Sequence, residues 1–175
     1  KSERFFSIGK NINNKNIENI SLKYSPLAHP TFFGKTKLFK KILYDEKLLY
    51  SQDYDFIVRC LINKFKIGNL NKPLLIYNSE IRNNFNKIFY QIKSSNEISK
   101  KFCLYKKGLT KYKLNYKRIK ERMTTYEKFC LIIRNKVLQI SNHKIRNFSY
   151  LIYFIISCFS NEIRNFSYRH FKKIK

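Results

Sequence analysis

The stretch that decides the fold is residues 51–65, which read SQDYDFIVRCLINKF. Its apolar side chains recur every three or four positions, at Tyr54, Ile57, Val58, Leu61, Ile62 and Phe65. This spacing puts them on one face of an α-helix and predicts a helix over about 52–65. Asp53 and Asp55 fall in its first turn, where the helix dipole favours negative charge.

The segments on either side of this helix predict short strands. Residues 27–34 are apolar and end at Gly34, residues 66–70 follow the helix, and residues 74–77 follow the turn signal at Pro73. Further helices are expected where apolar residues recur at helical spacing, at 12–24, 36–43, 85–107, 114–140 and 145–159.

The charge of the chain is strongly positive and unevenly distributed. The 175 residues carry 37 Lys or Arg and 11 Asp or Glu, a net charge of +26. Residues 81–175 hold 23 of the basic residues and only four of the acidic ones. An AT-rich coding sequence would also raise the Lys and Asn content, but it does not explain why acidic residues become scarce after Glu80. All three aspartates, Asp45, Asp53 and Asp55, lie within eleven positions of each other.

The composition excludes several classes of protein. Hydrophobic residues make up 43% and aromatic residues 17%, so the chain is not a disordered polyelectrolyte. The four cysteines form no CxxC pair, and their apolar neighbours predict buried free thiols in a reducing compartment.

The basic segment 81–175 has two candidate partners. Lys and Arg alternate there with Phe, Tyr and Ile at helical spacing, which is typical of helices that lie on an anionic membrane surface. The most apolar window, 148–159, has twelve residues, whereas a spanning helix needs about 20. Nucleic acid is the competing partner, and it receives less weight because the chain has no helix-turn-helix, zinc or RNA-binding signature.

The block 29–77 carries short motifs in a fixed order: HPT at 29–31, YDE at 44–46, QDYDF at 52–56 followed by Arg59, and PLLIY at 73–77. In order and spacing this block resembles the C-terminal part of the catalytic domain of bacterial family 2 glycosyltransferases. The resemblance covers about 50 of the 175 residues. It rests on the combination of the motifs, since each of them alone is short.

The resemblance implies a fold and an activity. The fold would be GT-A, a Rossmann-like α/β sandwich, with residues 1–80 as its C-terminal portion and 81–175 as a mainly helical basic tail. The activity would be the inverting transfer of a sugar from a nucleotide-sugar donor to a saccharide or lipid-linked acceptor, in the synthesis of surface polysaccharide or lipopolysaccharide. The enzyme would be cytoplasmic and peripheral on the inner face of the cytoplasmic membrane.

The resemblance assigns the general base to Asp53. Inverting transfer needs a carboxylate that takes the proton of the acceptor hydroxyl, and a short side chain at a helix start is held in one place and kept ionised by the dipole. The alternative is that Asp53 only caps the helix.

Three further residues are candidates for substrate binding. Gln52 stands where the family has the acidic neighbour of the base, and His29 belongs to the HPT motif. The alternative for His29 is a strand-end histidine bonded to the backbone. Arg59 is the third candidate, with an i, i+4 pair to Asp55 as its structural alternative.

The family's metal site has no match in this chain. Intact members bind Mg²⁺ or Mn²⁺ through an Asp-x-Asp pair, and Asp53-Tyr54-Asp55 spells that pattern but lies in the general-base helix. No metal is therefore assigned. Because the donor-binding half of the family pattern is also absent and the chain begins at Lys1, we expect a C-terminal fragment that does not turn over alone. A non-catalytic basic module that binds membrane or nucleic acid is the alternative function.

Overall fold

The computed structural model describes residues 13–70, 84–140, 142–160, 162–164 and 167. Seven α-helices have both ends among these residues: α1 (Asn14–Ser21), α2 (Thr36–Lys41), α3 (Gln52–Ile62), α4 (Phe85–Lys106), α5 (Tyr116–Ile119), α6 (Thr125–Gln139) and α7 (His143–Ser157). Residues 162–164 and 167 are also helical. No helix in this part of the chain combines the length and the apolar character needed to cross a lipid bilayer.

The expected α/β fold is wrong, because the residues that the structure describes contain helices and no strand. The apolar run 27–34 instead forms a single 3-10 turn, His29–Thr31, in which Pro30 has no N–H to give to a sheet. The neighbouring N–H groups of Thr31 and Phe32 are satisfied locally, by the carbonyls of Ala28 and His29 at 3.0 and 3.1 Å. Phe33 is fully exposed, so the run does not have the buried face that a central strand requires.

The other two predicted strands are residues 66–70 and 74–77. Residues 66–70 have no regular structure, and their segment is tied to α1 by a bond from the Ile67 N–H to Asn14 Oδ1 at 2.8 Å. The strand expected at 74–77 lies outside the described residues.

The chain divides into two compact units. Unit 1 comprises Lys1–Arg82 and Glu97–Tyr116, and unit 2 comprises Asn83–Asn96 and Lys117–Lys175. The functional division at residue 80 stays a prediction.

Unit 1 is organised around α3, which is the helix expected from the central stretch. Tyr54, Ile57 and Val58 are almost fully buried, as their spacing predicts. Helix α1 packs against α3, and the Tyr54 hydroxyl donates to the carbonyl of Ser21 at 2.5 Å. On another side of α3, Phe56 stacks between aromatic residues that the surrounding segments supply, namely Phe39 and Tyr44.

Helix α3 ends three residues earlier than expected because the chain turns back at Lys64. Lys64 has φ +62°, its N–H bonds to Leu61, and the N–H of Phe65 bonds to Cys60 at 3.0 Å. These two bonds and the left-handed residue form a Schellman cap. Helix α4 ends with the same cap, but there the left-handed residue is Gly108. Lys64 therefore occupies a conformation that favours glycine.

Unit 2 is built from the start of α4 together with α6 and α7. Its core contains Phe89, Ile92, Leu131, Tyr150 and Tyr153 among its buried side chains. The helix expected over 114–140 is interrupted, because Thr124 starts α6 with a capping box. Its hydroxyl accepts from the N–H of Glu127, and Glu127 Oε2 accepts from the N–H of Thr124 at 2.8 Å.

All four cysteines are free thiols, but the predicted burial is confirmed for only two of them. Cys60 is buried in unit 1 and Cys130 in unit 2, whereas Cys103 and Cys158 are partly exposed. Burial raises the pKa of Cys60 to about 11 and also raises the pKa of Cys130.

We predict that Lys64→Gly stabilises unit 1. Glycine adopts a left-handed φ without the steric cost of about 1–2 kcal/mol that other residues meet. Part of this gain is lost because glycine has greater conformational freedom in the unfolded chain. The free energy of unfolding should therefore rise by about 0.5–1 kcal/mol. Urea unfolding followed by far-UV circular dichroism measures the change.

The matched control is Lys66→Gly, which removes the same side chain two positions later, where no left-handed φ occurs. It should leave the unfolding free energy unchanged or lower it. Equal effects of both variants would contradict the assignment of strain to Lys64.

Candidate functional site

The three clustered aspartates lie in one region of unit 1 and have different surroundings. Asp55 is buried, with 1% of its surface exposed. Its Oδ2 accepts from Arg59 Nε at 2.7 Å, and its Oδ1 accepts from the Tyr112 hydroxyl at 2.7 Å. Burial raises the pKa of Asp55, and the bonds from Tyr112 and Arg59 act in the opposite direction. Both oxygens of this carboxylate are therefore engaged in holding the unit together.

Asp45 is also engaged in structure. Its Oδ1 accepts from the N–H of Lys47 at 3.0 Å, which closes the turn expected at 44–46, and its Oδ2 accepts from the Tyr116 hydroxyl. Burial raises the pKa of Tyr116, and its bond to Asp45 raises it further. Tyr116 therefore stays protonated and donates to the aspartate.

Asp53 differs from its two neighbours. It is the second residue of α3 and is half-buried. No hydrogen bond or ion pair joins its carboxylate to any residue that the structure describes. The alternative that Asp53 caps the helix would require a bond to a backbone N–H, so the observed geometry gives that alternative no support. Asp53 is the aspartate of the three whose oxygens can accept from a ligand.

His29 and Tyr44 form a pair close to Asp53. His29 Nε2 lies 3.1 Å from the Tyr44 hydroxyl, and the two rings meet edge to face with centroids 5.8 Å apart. Burial raises the pKa of Tyr44, and the negative charge of Asp53 raises it further. The phenol and the carboxylate thus lie within electrostatic range of each other. His29 is thus bonded to a side chain at the surface and is not the backbone-bonded strand end that was the alternative.

Gln52 and Arg59 complete the set of predicted site residues. Gln52 is the first residue of α3 and is half-buried. Arg59 makes the expected i, i+4 pair with Asp55, and its Nη1 donates to the carbonyl of Leu43 at 2.5 Å. Substrate contacts by Gln52 and Arg59 stay predictions, as do the roles of Asp53 and His29.

An open cleft of about 540 Å³ lies over residues 43–47, beside the His29–Tyr44 pair. Leu43, Tyr44, Glu46 and Lys47 are all exposed there. An apolar side chain, a phenol and both signs of charge thus border one shallow surface. Such a surface suits a polyhydroxyl molecule, which offers both hydrogen-bond donors and acceptors.

The Mg²⁺ or Mn²⁺ that the family resemblance implies does not fit the residues that the structure describes. Within the described part of the chain, no three His, Cys, Asp or Glu side chains come together as a metal site would require. Of the two aspartates in Asp53-Tyr54-Asp55, Asp55 has both oxygens bonded to Arg59 and Tyr112. We therefore derive no step through a metal ion.

Three residues of this region were missed from the sequence. Tyr44 was expected only as part of a turn, and the other two are Tyr112 and Tyr116. They are four positions apart, and each hydroxyl donates to one aspartate of the central block. The helical spacing of the two tyrosines was the signal available, but it is shared by many tyrosines of this chain.

We predict that Tyr112→Phe destabilises unit 1 in a pH-dependent way. At pH 7 the loss should be about 1.5–3 kcal/mol, because the hydroxyl donates to a buried charged group. The bond lowers the pKa of Asp55, so its removal raises the folded-state pKa while the unfolded value stays near 3.9. The loss should therefore grow as the pH rises through the folded-state pKa and should be smallest below about 3.9.

Urea unfolding at several pH values measures this difference. Tyr105→Phe is the control, since its hydroxyl makes no hydrogen bond with the described residues, and it should cost under about 0.5 kcal/mol throughout. A loss for Tyr112→Phe that does not change with pH would contradict the assigned bond.

Comparison with known proteins gives one informative relative. No model of a protein family matches this chain, and no solved structure matches it. A curated protein of Methanocaldococcus jannaschii, named an uncharacterized glycosyltransferase, is 36% identical over 97 residues. The match covers 51% of this chain, and the chain spans about a third of the length of that protein, 33%. Half of this chain is therefore related to a protein that bears the name of a glycosyltransferase.

Proposed function

We propose that this chain is the acceptor-side part of an inverting glycosyltransferase of the family 2 type, in which Asp53 is the general base. The relationship to a named glycosyltransferase supports the reaction class. The observation that carries the assignment of the base is the Asp53 carboxylate, which is half-buried at the start of α3 and has no bonding partner among the described residues. Asp45 and Asp55 are each held by two bonds and are not available for this role.

The proposed step moves one proton and one glycosyl group. The acceptor hydroxyl oxygen attacks the anomeric carbon of the donor sugar, a new carbon–oxygen bond forms on the opposite face, and the bond to the nucleoside diphosphate breaks. Asp53 takes the hydroxyl proton as the new bond forms.

The neighbours of Asp53 would orient the acceptor. The Tyr44 hydroxyl can donate or accept, and its partner His29 is exposed. A sugar hydroxyl that bonds to this pair would lie close to the Asp53 carboxylate, over the cleft at 43–47. The acceptor class that fits is a saccharide, free or linked to a lipid. The nucleotide-sugar donor would bind to parts of the enzyme that are not assigned in this chain.

The test compares Asp53→Asn with the unchanged enzyme, using the polypeptide encoded by the full reading frame. Release of nucleoside diphosphate is followed with a panel of nucleotide sugars and saccharide acceptors. The amide has nearly the shape of the carboxylate but cannot take the proton, so kcat should fall by about 10²–10⁴ while the donor KM stays unchanged.

Glu18→Gln is the matched control, because it removes one carboxylate charge from a partly exposed position of unit 1 that does not line the cleft. Its kcat should stay within about twofold of the unchanged enzyme, which is the size expected for a screened surface charge. Full activity of Asp53→Asn would contradict the role of the base. Absence of donor-dependent release with every nucleotide sugar would contradict the function itself.

A further inference from the structure

The outer face of α7 is an exposed apolar stripe in unit 2. Ile145, Phe148, Leu151, Ile152 and Ile155 are 39–66% exposed. At about 100° per residue these five positions fall within an arc of about 120° on the helix surface. Phe159, just beyond the end of the helix, is 84% exposed. We call this set the α7 stripe.

The α7 stripe is not needed for the core of unit 2. The opposite side of the helix carries Tyr150, Tyr153 and Ser157, which are buried, and α7 packs against α6. The helix therefore has two apolar faces, and only one of them is buried against other residues that the structure describes in this unit. A contiguous exposed apolar face of this kind marks an interaction surface more often than scattered exposed residues do.

The neighbouring helix adds positive charge and one more exposed aromatic ring. On the solvent side of α6, Phe129 is 52% exposed, and Lys128 and Lys136 are exposed within about 100° of it around the helix. The short segment before α6 adds exposed Lys120 and Arg122. The solvent side of this helix and the segment before it therefore present cations around an aromatic side chain.

The acidic residues of unit 2 are already engaged. Unit 2 has sixteen Lys or Arg and three Glu in its sequence. Glu121 pairs with Lys93 at 2.9 Å, Glu162 pairs with Arg118 at 2.9 Å, and Glu127 forms the capping box of α6. The three carboxylates of unit 2 are therefore too few to neutralise its sixteen basic residues.

We propose that the α7 stripe docks on an anionic lipid surface, with α7 lying in the plane of the interface. Ile, Leu and Phe side chains would enter the boundary between headgroups and acyl chains, and the lysines around Phe129 would remain among the phosphates. Anionic headgroups complement the excess charge of unit 2. This docking does not depend on the proposed sugar transfer.

Charge and chemistry favour lipid over other occupants of the stripe. A second copy of this chain would bring two strongly basic surfaces together, which costs electrostatic energy. Nucleic acid would be met by the aliphatic side chains of Ile145, Leu151, Ile152 and Ile155, which offer no hydrogen bond to a phosphate and no ring to stack on a base. A lipid interface satisfies both the apolar stripe and the positive charge of unit 2.

The absence of tryptophan from the chain allows a direct test. Phe148→Trp places the single tryptophan of the variant in the stripe with a small change of size. Leu109→Trp is the matched control, because Leu109 is exposed to the same extent, 64% against 66%, and lies in unit 1. Each variant of the full chain is titrated with vesicles of phosphatidylcholine containing about 30 mol % phosphatidylglycerol, and with vesicles of phosphatidylcholine alone.

The expected result is a blue shift of about 10 nm for Trp at 148 with the anionic vesicles, together with quenching by brominated acyl chains, because the side chain enters the interface. Trp at 109 should shift little, and neutral vesicles should bind at least about tenfold more weakly. Raising NaCl from about 0.1 to about 0.5 M should weaken binding several-fold, since the attraction to the headgroups is screened.

A second pair of variants tests the same surface by loss of binding. Binding is measured as the fraction of protein that floats with anionic vesicles in a density gradient. The double variant Phe148→Glu with Ile155→Glu should lower this fraction at least about fivefold. The double variant Leu70→Glu with Leu109→Glu adds equal charge at exposed positions of unit 1 and should float like the unchanged chain. Far-UV circular dichroism confirms that each variant is folded. The proposal is overturned if Trp at 148 does not shift with anionic vesicles, if it shifts equally on self-association without lipid, or if the chain binds nucleic acid and no vesicle.

Discussion

Unit 1 depends on the buried carboxylate of Asp55. A charge taken out of water is tolerated only when partners surround it, and Asp55 obtains them from its own helix and from a residue 57 positions away. Arg59, which pairs with Asp55, also donates to the carbonyl of Leu43 and so fixes the segment that leads into the cleft. The same contacts leave Asp53, two residues earlier, on the accessible side of α3. The position of Asp53, the candidate base, therefore follows from the contacts that Arg59 and Tyr112 make with Asp55.

The helices were predictable where a periodic apolar face runs along the sequence, as in α3, α4 and α7. Their ends were less predictable, because they depend on single residues such as Lys64. Lys64 adopts a left-handed conformation, which a lysine in the sequence does not indicate. The strands failed for a different reason. A short apolar run becomes a strand only when another strand is beside it, and that partner cannot be seen from the run itself. At 27–34 the chain closes local bonds around Pro30 instead.

The candidate residues His29 and Asp53 came from the HPT and QDYDF motifs, whereas Tyr44 was expected only as part of a turn. The structure bonds His29 to Tyr44, and the roles of the candidates stay predictions. Nothing in the block itself says which aspartate is engaged. That depends on Tyr112 and Tyr116, which lie 57 and 71 residues from the carboxylates they bond. Contacts over such distances in sequence arise from the packing of the whole unit, and a pattern read locally does not contain them.

The distribution of the cysteines allows local unfolding of each unit to be measured by thiol labelling. Each unit contains one buried thiol and one partly exposed thiol, Cys60 with Cys103 and Cys130 with Cys158. A thiol-labelling reagent reacts with the thiolate, which burial disfavours at both inner positions. Modification of Cys60 thus requires unit 1 to open, and modification of Cys130 requires unit 2 to open. Peptide mapping of the labelled cysteines would resolve the breathing of the two units separately, in the unaltered chain.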